Sequence, residues 1–500
     1  MWETAIEEEL KAHEENETWK IVHKPRGRQT IDSKWVFKVQ QNKNGQTNRY
    51  KARLCARGFL QQHGIDYGET FAPVVRYTTI RVMLALAAQE NLEMRQFDIC
   101  TAFLYGKLEE EIYMRIPEGL HVNPEEGDAC LLNKSLYGLK QASRCWNKTF
   151  TSFLEEYNFQ TCASDNSLFV GEVNKCRVYI VLFVDDGLVL SKSLDIIDYV
   201  IGVLELKFRI KVSEPDVFVG IQIEKCVERG QIFIHQSNYT KRVLEKFRMS
   251  DCNSVSTPIE PGVSLCVNRN GECKSIPYRE AVGSLMFLSI VSRPDIPYAV
   301  NYLSRFLNGY DNSHWEVVKR VFRYLKGTCD LGIMYTRDKV FDLMAYSDSD
   351  YAGDLESRRS TSGNLFILSN GPVSWLSQRQ PSVTLSTTEA EYVAACMAAR
   401  ETVWLRRLLS DIGHPCACRT MIYMDNQSAL KLVKNPEFHK RSKHIDVQCH
   451  FIREKYQSGE LNVTYVSSQK QLADCFTKAL SKPRFELLRD CICVNNNCKV

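Results

Sequence analysis

Val178 to Val184 form an unbroken apolar run rich in β-branched and aromatic side chains; it stops at Asp185-Asp186-Gly187 before Leu188-Val189-Leu190 resumes the pattern. A run apolar on both faces predicts an interior strand, and an acid-acid-glycine break between two such runs predicts a hairpin. An Asp-Asp pair at a turn is ordinarily solvated, but here it interrupts the most apolar β pattern in the chain. A second acid shares the setting, because Met94 to Ile99 reads as a short strand with Asp98 near its end. Three carboxylates on strand ends can hold two divalent cations, one for an attacking 3′-oxygen and one for a leaving pyrophosphate.

The bulk properties narrow the class. At 500 residues the chain exceeds one ordinary core and suggests about three domains. With 44% hydrophobic and 25% charged residues it reads as globular rather than disordered. No apolar run approaches the ~20 residues of a membrane helix. The start, Met1-Trp2-Glu3 followed by Glu7-Glu8-Glu9, has neither the basic nor the apolar part of a secretory signal. An intracellular chain with no membrane partner is therefore expected. The 19 cysteines include no CxxC pair, and the groups Cys416/Cys418 and Cys491/Cys493/Cys498 lack zinc-finger spacing, so they read as free thiols. Net charge is only +4, yet residues 21–60 carry ten Lys or Arg against the single acid Asp32. Such a block suits phosphate contacts and a merely solvated face equally well.

Periodicity places these features on elements. Trp2, Ala5, Ile6 and Leu10 predict an amphipathic helix. Trp35–Val39 and Tyr50–Cys55 predict strands around an Asn44-Gly45 turn, and Thr78–Gln89 predicts a helix. Trp146, Phe150, Phe153, Leu154 and Tyr157 form a helical stripe, and residues 240–335 are helix-rich. Asp342–Ser347 opens a strand-rich block, Glu389–Leu409 predicts a long helix, and the last ten residues read as a loose tail.

The motifs carry a family resemblance. Phe183-Val184-Asp185-Asp186 resembles the YVDD box of reverse transcriptases, and QFDICTAFLYG at 96–106 resembles their first catalytic motif in its copia-type form. SKWVFK at 33–38, RYKARLCARGF at 49–59, GIDYGETFAPV at 64–74, IYMRIPEG at 112–119 and SLYGLKQASRCW at 135–146 follow in family order. Further on, AYSDSDYAGD, SRRSTSG, SWLSQRQPSVTLSTTEAEY, YMDNQSA, RSKHIDVQCHFIREK and KQLADCFTK resemble the ribonuclease H segments of the same elements. On these residues the chain is identified as a member of the copia-type retrotransposon Pol polyproteins, in their reverse transcriptase and ribonuclease H portion.

The resemblance implies an α+β fold: a right-hand polymerase followed by a ribonuclease H-like α/β domain. Fingers and palm would occupy 1–240, a helix-rich thumb and connection 241–338, the ribonuclease H-like domain 339–482, and a C-terminal tail 483–500. It implies Asp98, Asp185 and Asp186 as metal ligands with the Ile99 carbonyl, and Phe103 as the aromatic gate that selects deoxynucleotides. Arg53 and Lys38 would hold the triphosphate, and Gln141 belongs to the second template-and-nucleotide motif. Phe218-Val219-Gly220-Ile221 resembles the primer grip, though a strand with a bulge glycine reads equally well. Asp348, Glu391, Asp425 and Asp474 would form the nuclease set, with Asp350 and Glu389 as neighbouring alternatives and His444 nearby. The implied cofactor is Mg²⁺, two ions per site, with Mn²⁺ as a substitute. The implied partners are an RNA or DNA template with annealed primer, deoxynucleoside triphosphates and RNA–DNA hybrid, in cytoplasmic virus-like particles with nuclear entry to follow. No protease motif, zinc knuckle or integrase zinc module occurs, so the chain is expected to correspond to the part after them.

Departures from the family pattern matter too. Phe183 replaces the usual tyrosine. Ser143 stands where proline is common, which is expected to loosen that turn. Cys55, Cys100 and Cys145 are unusual at their positions. They motivate two rival readings: a silent nucleic-acid-binding relic, and a nuclease whose polymerase half has failed.

Overall fold

Cys176–Phe183 is an interior strand, as its composition demands, in a computed structural model that describes all residues except 42–46, 121, 123–124, 227–228, 269–274, 338–340, 436–445 and 496–500. Its six-stranded sheet runs in the order Ile210–Ser213, Glu93–Ile99, Asp186–Ser191, Cys176–Phe183, Asp165–Val173, Gln160–Cys162. Helices Ala142–Glu156 and Leu194–Glu205 bury their apolar stripes on it, so that Trp146, Phe150, Phe153, Ile197 and Leu204 share one core with Phe97, Phe169 and Ile180. The second helix starts at Ser193, whose hydroxyl accepts from the Asp195 N–H. Strands Ser33–Gln41 and Thr47–Ala56 pair as a separate two-stranded ribbon, and helix Trp2–Glu15 packs on the latter. The Asn44-Gly45 turn and His444 lie outside the described residues.

The chain divides into two compact units, and the division is not linear. Met1–Val75 and Met94–Glu214 form the first; Arg76–Glu93 and Pro215–Val500 form the second. The expected borders at 240, 338 and 482 all fall inside the second unit.

In that unit, helix Tyr77–Glu90 is buried continuously from Thr79 to Ala88. Its Arg81 guanidinium donates to the carbonyls of Val373 (2.7 Å), Ile290 (2.7 Å) and Val291 (2.9 Å) and lies 4.0 Å from the centre of the Trp375 ring. Val217–Phe218 pairs with Ile221–Cys226 through Val219 and Gly220, with φ of 48° and 80°. That is a two-residue type I′-like hairpin, so the bulge-glycine alternative for 218–221 gives way to a tight turn. Helices Ser237–Lys246, Tyr278–Val291, Pro297–Ser304 and Asn312–Gly327 enclose a core that continues to Phe485 and Ile492.

The last sheet runs Gly371–Arg379, Thr361–Leu368, Met344–Ser349, Thr420–Met424, Leu461–Tyr465. The first three strands are antiparallel and the last two pairings parallel, with helix Thr387–Asp411 packed on the central strands. The segment read as a tail is a correction: Lys482–Ile492 is a helix that buries Phe485, Leu488 and Ile492, and Val494–Asn495 pairs with Leu331–Gly332. The three-and-four spacing of those apolar residues outweighs the Asn and Cys content.

Candidate active sites: two carboxylate centres

The first centre is built around the hairpin tip. Asp186 pairs with Phe183, which leaves Val184 and Asp185 as the turn. Val184 has φ of 60°, an unfavourable conformation for a β-branched residue. Trp146 holds it there, its indole Nε1 donating to the Val184 carbonyl at 2.6 Å. Gly187 is required for space, since a Cβ would meet the Phe97 ring at 2.0 Å. The Ile99 N–H donates to the Asp185 carbonyl (2.9 Å), which ties the Asp98 strand to the tip.

Asp98, Ile99 and Asp185 thereby border one cavity of about 410 Å³. Burial and then Asp98 push the Asp185 carboxyl up; burial, Asp185 and Asp98 push Asp186 up to about 6. Arg53 borders the same cavity, its guanidinium 4.5 Å from the centre of the Tyr137 ring and its buried Nε without a hydrogen-bond partner.

Other expected contacts lie elsewhere. Lys38 is exposed and pairs in register with Lys51, and it is Lys51 that borders the cavity. Phe103 does not border it; its ring stands against Tyr137, centroids 4.8 Å apart, and Tyr137 forms the wall. Gln141 is a correction. It is 1% exposed and spent on structure, its Nε2 donating to the Asp66 carbonyl (2.8 Å) and Glu110 (3.1 Å) and its Oε1 accepting from Gln61 (3.0 Å). Sequence reading missed Lys51, Tyr137, Arg209 and Lys211 on the cavity wall. Lys51 and Tyr137 sit inside the quoted motifs, but Arg209 and Lys211 arrive by strand pairing, Lys211 opposite Asp98, which no local pattern announces.

Ser143 is the second residue of helix Ala142–Glu156. A first-turn N–H has no acceptor within its helix, so proline and serine are both tolerated there. The expected loosening of the turn is not found, and its physical ground is absent. Burial raises the Cys55 thiol and raises Cys145 to about 11, so neither is a ready thiolate.

The second centre lies on the last sheet. Asp348 is on strand Met344–Ser349, Asp425 follows strand Thr420–Met424, and Glu391 is in helix Thr387–Asp411. Ligand oxygens of these three lie within 4.8 Å of one another, an acidic cluster able to hold a metal ion. Asp348 and Glu391 are 2% and 6% exposed. Burial and then Asp348 push Glu391 up to about 10, and burial raises Asp348 to about 6, with Lys478 opposing the rise. Glu391 Oε2 is buried with no hydrogen-bond partner. Thr477 Oγ1 donates to Asp348 (2.5 Å) and Ser468 Oγ to Asp425 (2.7 Å).

The neighbouring alternatives have other tasks. Glu389 turns back to accept from the Leu385 N–H (2.8 Å), and Asp350 accepts from the Thr361 N–H. Asp474 lies outside the tight cluster; Lys478 (2.8 Å) and Arg484 (3.1 Å) pair with its two oxygens, and Lys478 reaches to 3.8 Å from Asp348.

Residues 16–261 match the family Reverse transcriptase (RNA-dependent DNA polymerase). The chain is 31% identical over 308 residues to the putative transposon Ty5-1 protein YCL074W of Saccharomyces cerevisiae, covering 61% of this chain and 99% of that one. It is 40% identical over 502 residues to the retrovirus-related Pol polyprotein from transposon TNT 1-94 of Nicotiana tabacum, which covers 99% of this chain. The chain belongs to the copia-type retrotransposon Pol polyprotein family. It spans 38% of that tobacco polyprotein and 33% of the transposon RE2 polyprotein of Arabidopsis thaliana, to which it is 38% identical over 97% of its own length. Among solved structures, a foamy viral protease-reverse transcriptase in complex with double-stranded DNA superposes with a TM-score of 0.50 at 10% identity, over 93% of this chain and 69% of that one. At that identity the likeness speaks for the fold alone. Among the described residues of this Pol chain, no helix is long and apolar enough to cross a membrane.

Proposed function

We propose that this Pol chain is an RNA-directed DNA polymerase with an associated ribonuclease H activity. The observation that carries the reading is the cavity where Asp98 and Asp185 meet Arg53 and Lys51: carboxylates for divalent cations beside cations for a triphosphate. The carboxyls of Asp185, raised by burial and Asp98, and of Asp186, raised by burial, Asp185 and Asp98, fit such a role, since a bound cation would relieve the repulsion. Asp98, Asp185, Asp186 and the Ile99 carbonyl would hold Mg²⁺ at the polymerase centre, and Asp348, Glu391 and Asp425 would hold it at the nuclease centre, with Mn²⁺ as a substitute. When bound, two ions per centre supply Lewis acidity to the attacking oxygen and offset charge on the leaving one.

The chain's own residues do the rest. Arg53 offers a fork to the triphosphate and Lys51 a point charge. Trp146 keeps the aspartate turn fixed. Thr477 and Ser468 aim Asp348 and Asp425, and Glu391 would have to release its proton to hold a cation. The partners are primed RNA or DNA template, deoxynucleotides and RNA–DNA hybrid, with affinity falling steeply as salt rises. The compartment proposed is the cytoplasm, within particles, before nuclear entry.

Primer extension on an RNA template, run with hybrid cleavage, tests the reading. Extension by the native chain and none by Asp185→Asn supports it. A folded, template-binding native chain that extends nothing sinks the polymerase half.

A further inference from the structure

The geometry points to Tyr137 as the residue that fits the sugar of the incoming nucleotide, with Phe103 acting through it. The inference rests on the polymerase reading of the cavity and deepens it. Phe103 occupies the position where the family keeps its aromatic gate, yet its ring does not reach the cavity. Tyr137 does, beside Asp98, Thr101 and Asp185. The two rings meet edge to face, at 68° with centroids 4.8 Å apart, so Phe103 backs the wall that Tyr137 presents.

Tyr137 is also held from its other sides. Arg53 lies 4.5 Å from its ring centre. The Ala56 N–H donates to its carbonyl at 2.7 Å. Its neighbour Gly138 has φ of 94°, and a Cβ there would meet the Ala56 carbonyl oxygen at 2.1 Å, so the backbone after Tyr137 is pressed onto the strand that carries Arg53. A ring fixed at this many points cannot retreat when a larger sugar enters. An extra hydroxyl pressed against a rigid wall is rejected, whereas a flexible wall would yield. Because Arg53 shares the ring, the wall position and the triphosphate arm are set together, and a sugar displaced by the wall also misplaces its phosphates. Tyr137 thus acts on specificity more than on the chemical step.

The test is the preference for dATP over ATP in forming a ternary complex on a chain-terminated primer, with Ca²⁺ in place of Mg²⁺ and the full chain throughout. Tyr137→Ala is expected to lower the preference about tenfold or more. Tyr137→Phe, which keeps the ring and the fold, should stay within about twofold of native. Phe103→Ala should weaken the preference, and adding it to Tyr137→Ala should change nothing further, because both act on one wall. Native preference in Tyr137→Ala, or its full loss in Tyr137→Phe, overturns the inference while the polymerase reading stands. Failure of the native chain to form any dATP complex overturns both.

Discussion

At the proposed nuclease centre Asp348 and Glu391 are almost wholly buried and drawn within 4.8 Å of Asp425, while at the proposed polymerase centre Asp98 and Asp185 line a cavity shared with Arg53 and Lys51. Among the described residues the polymerase aspartates form no comparably tight cluster. The nuclease carboxylates are assembled by parallel strand register and a long helix, so the fold fixes their distances and stores their repulsion. The polymerase carboxylates are assembled at a hairpin tip, and the cations beside them suit a highly charged substrate. The first arrangement can hold a metal ion among three carboxylates, and the second sets carboxylates and cations side by side.

The largest expected effect tests whether the two centres are separable. Asp185→Asn should reduce primer extension to background and leave hybrid cleavage within about twofold of native, and Asp348→Asn should do the reverse. Loss of both activities in either variant would break the comparison. Next in size is Trp146→Phe. Leaving the Val184 carbonyl without its donor should destabilise the chain by about 1–3 kcal/mol in denaturant unfolding and slow extension while sparing cleavage.

A smaller effect sharpens the contrast in stored repulsion. Glu391 has a folded pKa of about 10 against an ordinary 4.5, and Asp348 about 6 against 3.8. A carboxyl raised in this way keeps its proton longer in the folded chain. Metal-free stability is therefore undiminished below the ordinary values and falls as pH climbs, through about 6 for Asp348 and on to about 10 for Glu391. Melting curves of metal-free protein should show this decline, Glu391→Gln should flatten it above neutrality, and Mg²⁺ should raise the melting temperature more at alkaline than at neutral pH. A Mg²⁺ effect independent of pH would contradict the buried-proton picture. Smallest is Ser143→Pro, which should shift stability by less than about 1 kcal/mol and leave extension intact.

Local patterns made the hairpin tip legible, because an apolar run broken by two acids and a glycine can bury its side chains only as two strands joined by a turn. Family motifs gave Asp348, Glu391 and Asp425, with Glu391 the better match than Glu389, whose carboxylate accepts from the Leu385 N–H. Other features depend on pairing between distant segments. Lys211 reaches the cavity because its strand lies beside the Asp98 strand. Gln141 is drawn away by Gln61, Asp66 and Glu110, partners far from it in sequence. Asp474 is paired by Lys478, four residues on and inside its own motif, and by Arg484, which lies outside it.

Helix Tyr77–Glu90 lies in sequence between two stretches of the polymerase unit, yet Arg81 and Ala85 are fastened to Val373 and Ser369 of the nuclease-bearing unit. A copy truncated before residue 340 would keep the Ile290 and Val291 carbonyls on Arg81 but lose the Val373 carbonyl and the Trp375 ring, and would uncover the part of the helix packed on Gly371–Arg379. Loss of the last sheet would thus be felt in a helix that lies, in sequence, among the segments of the first unit.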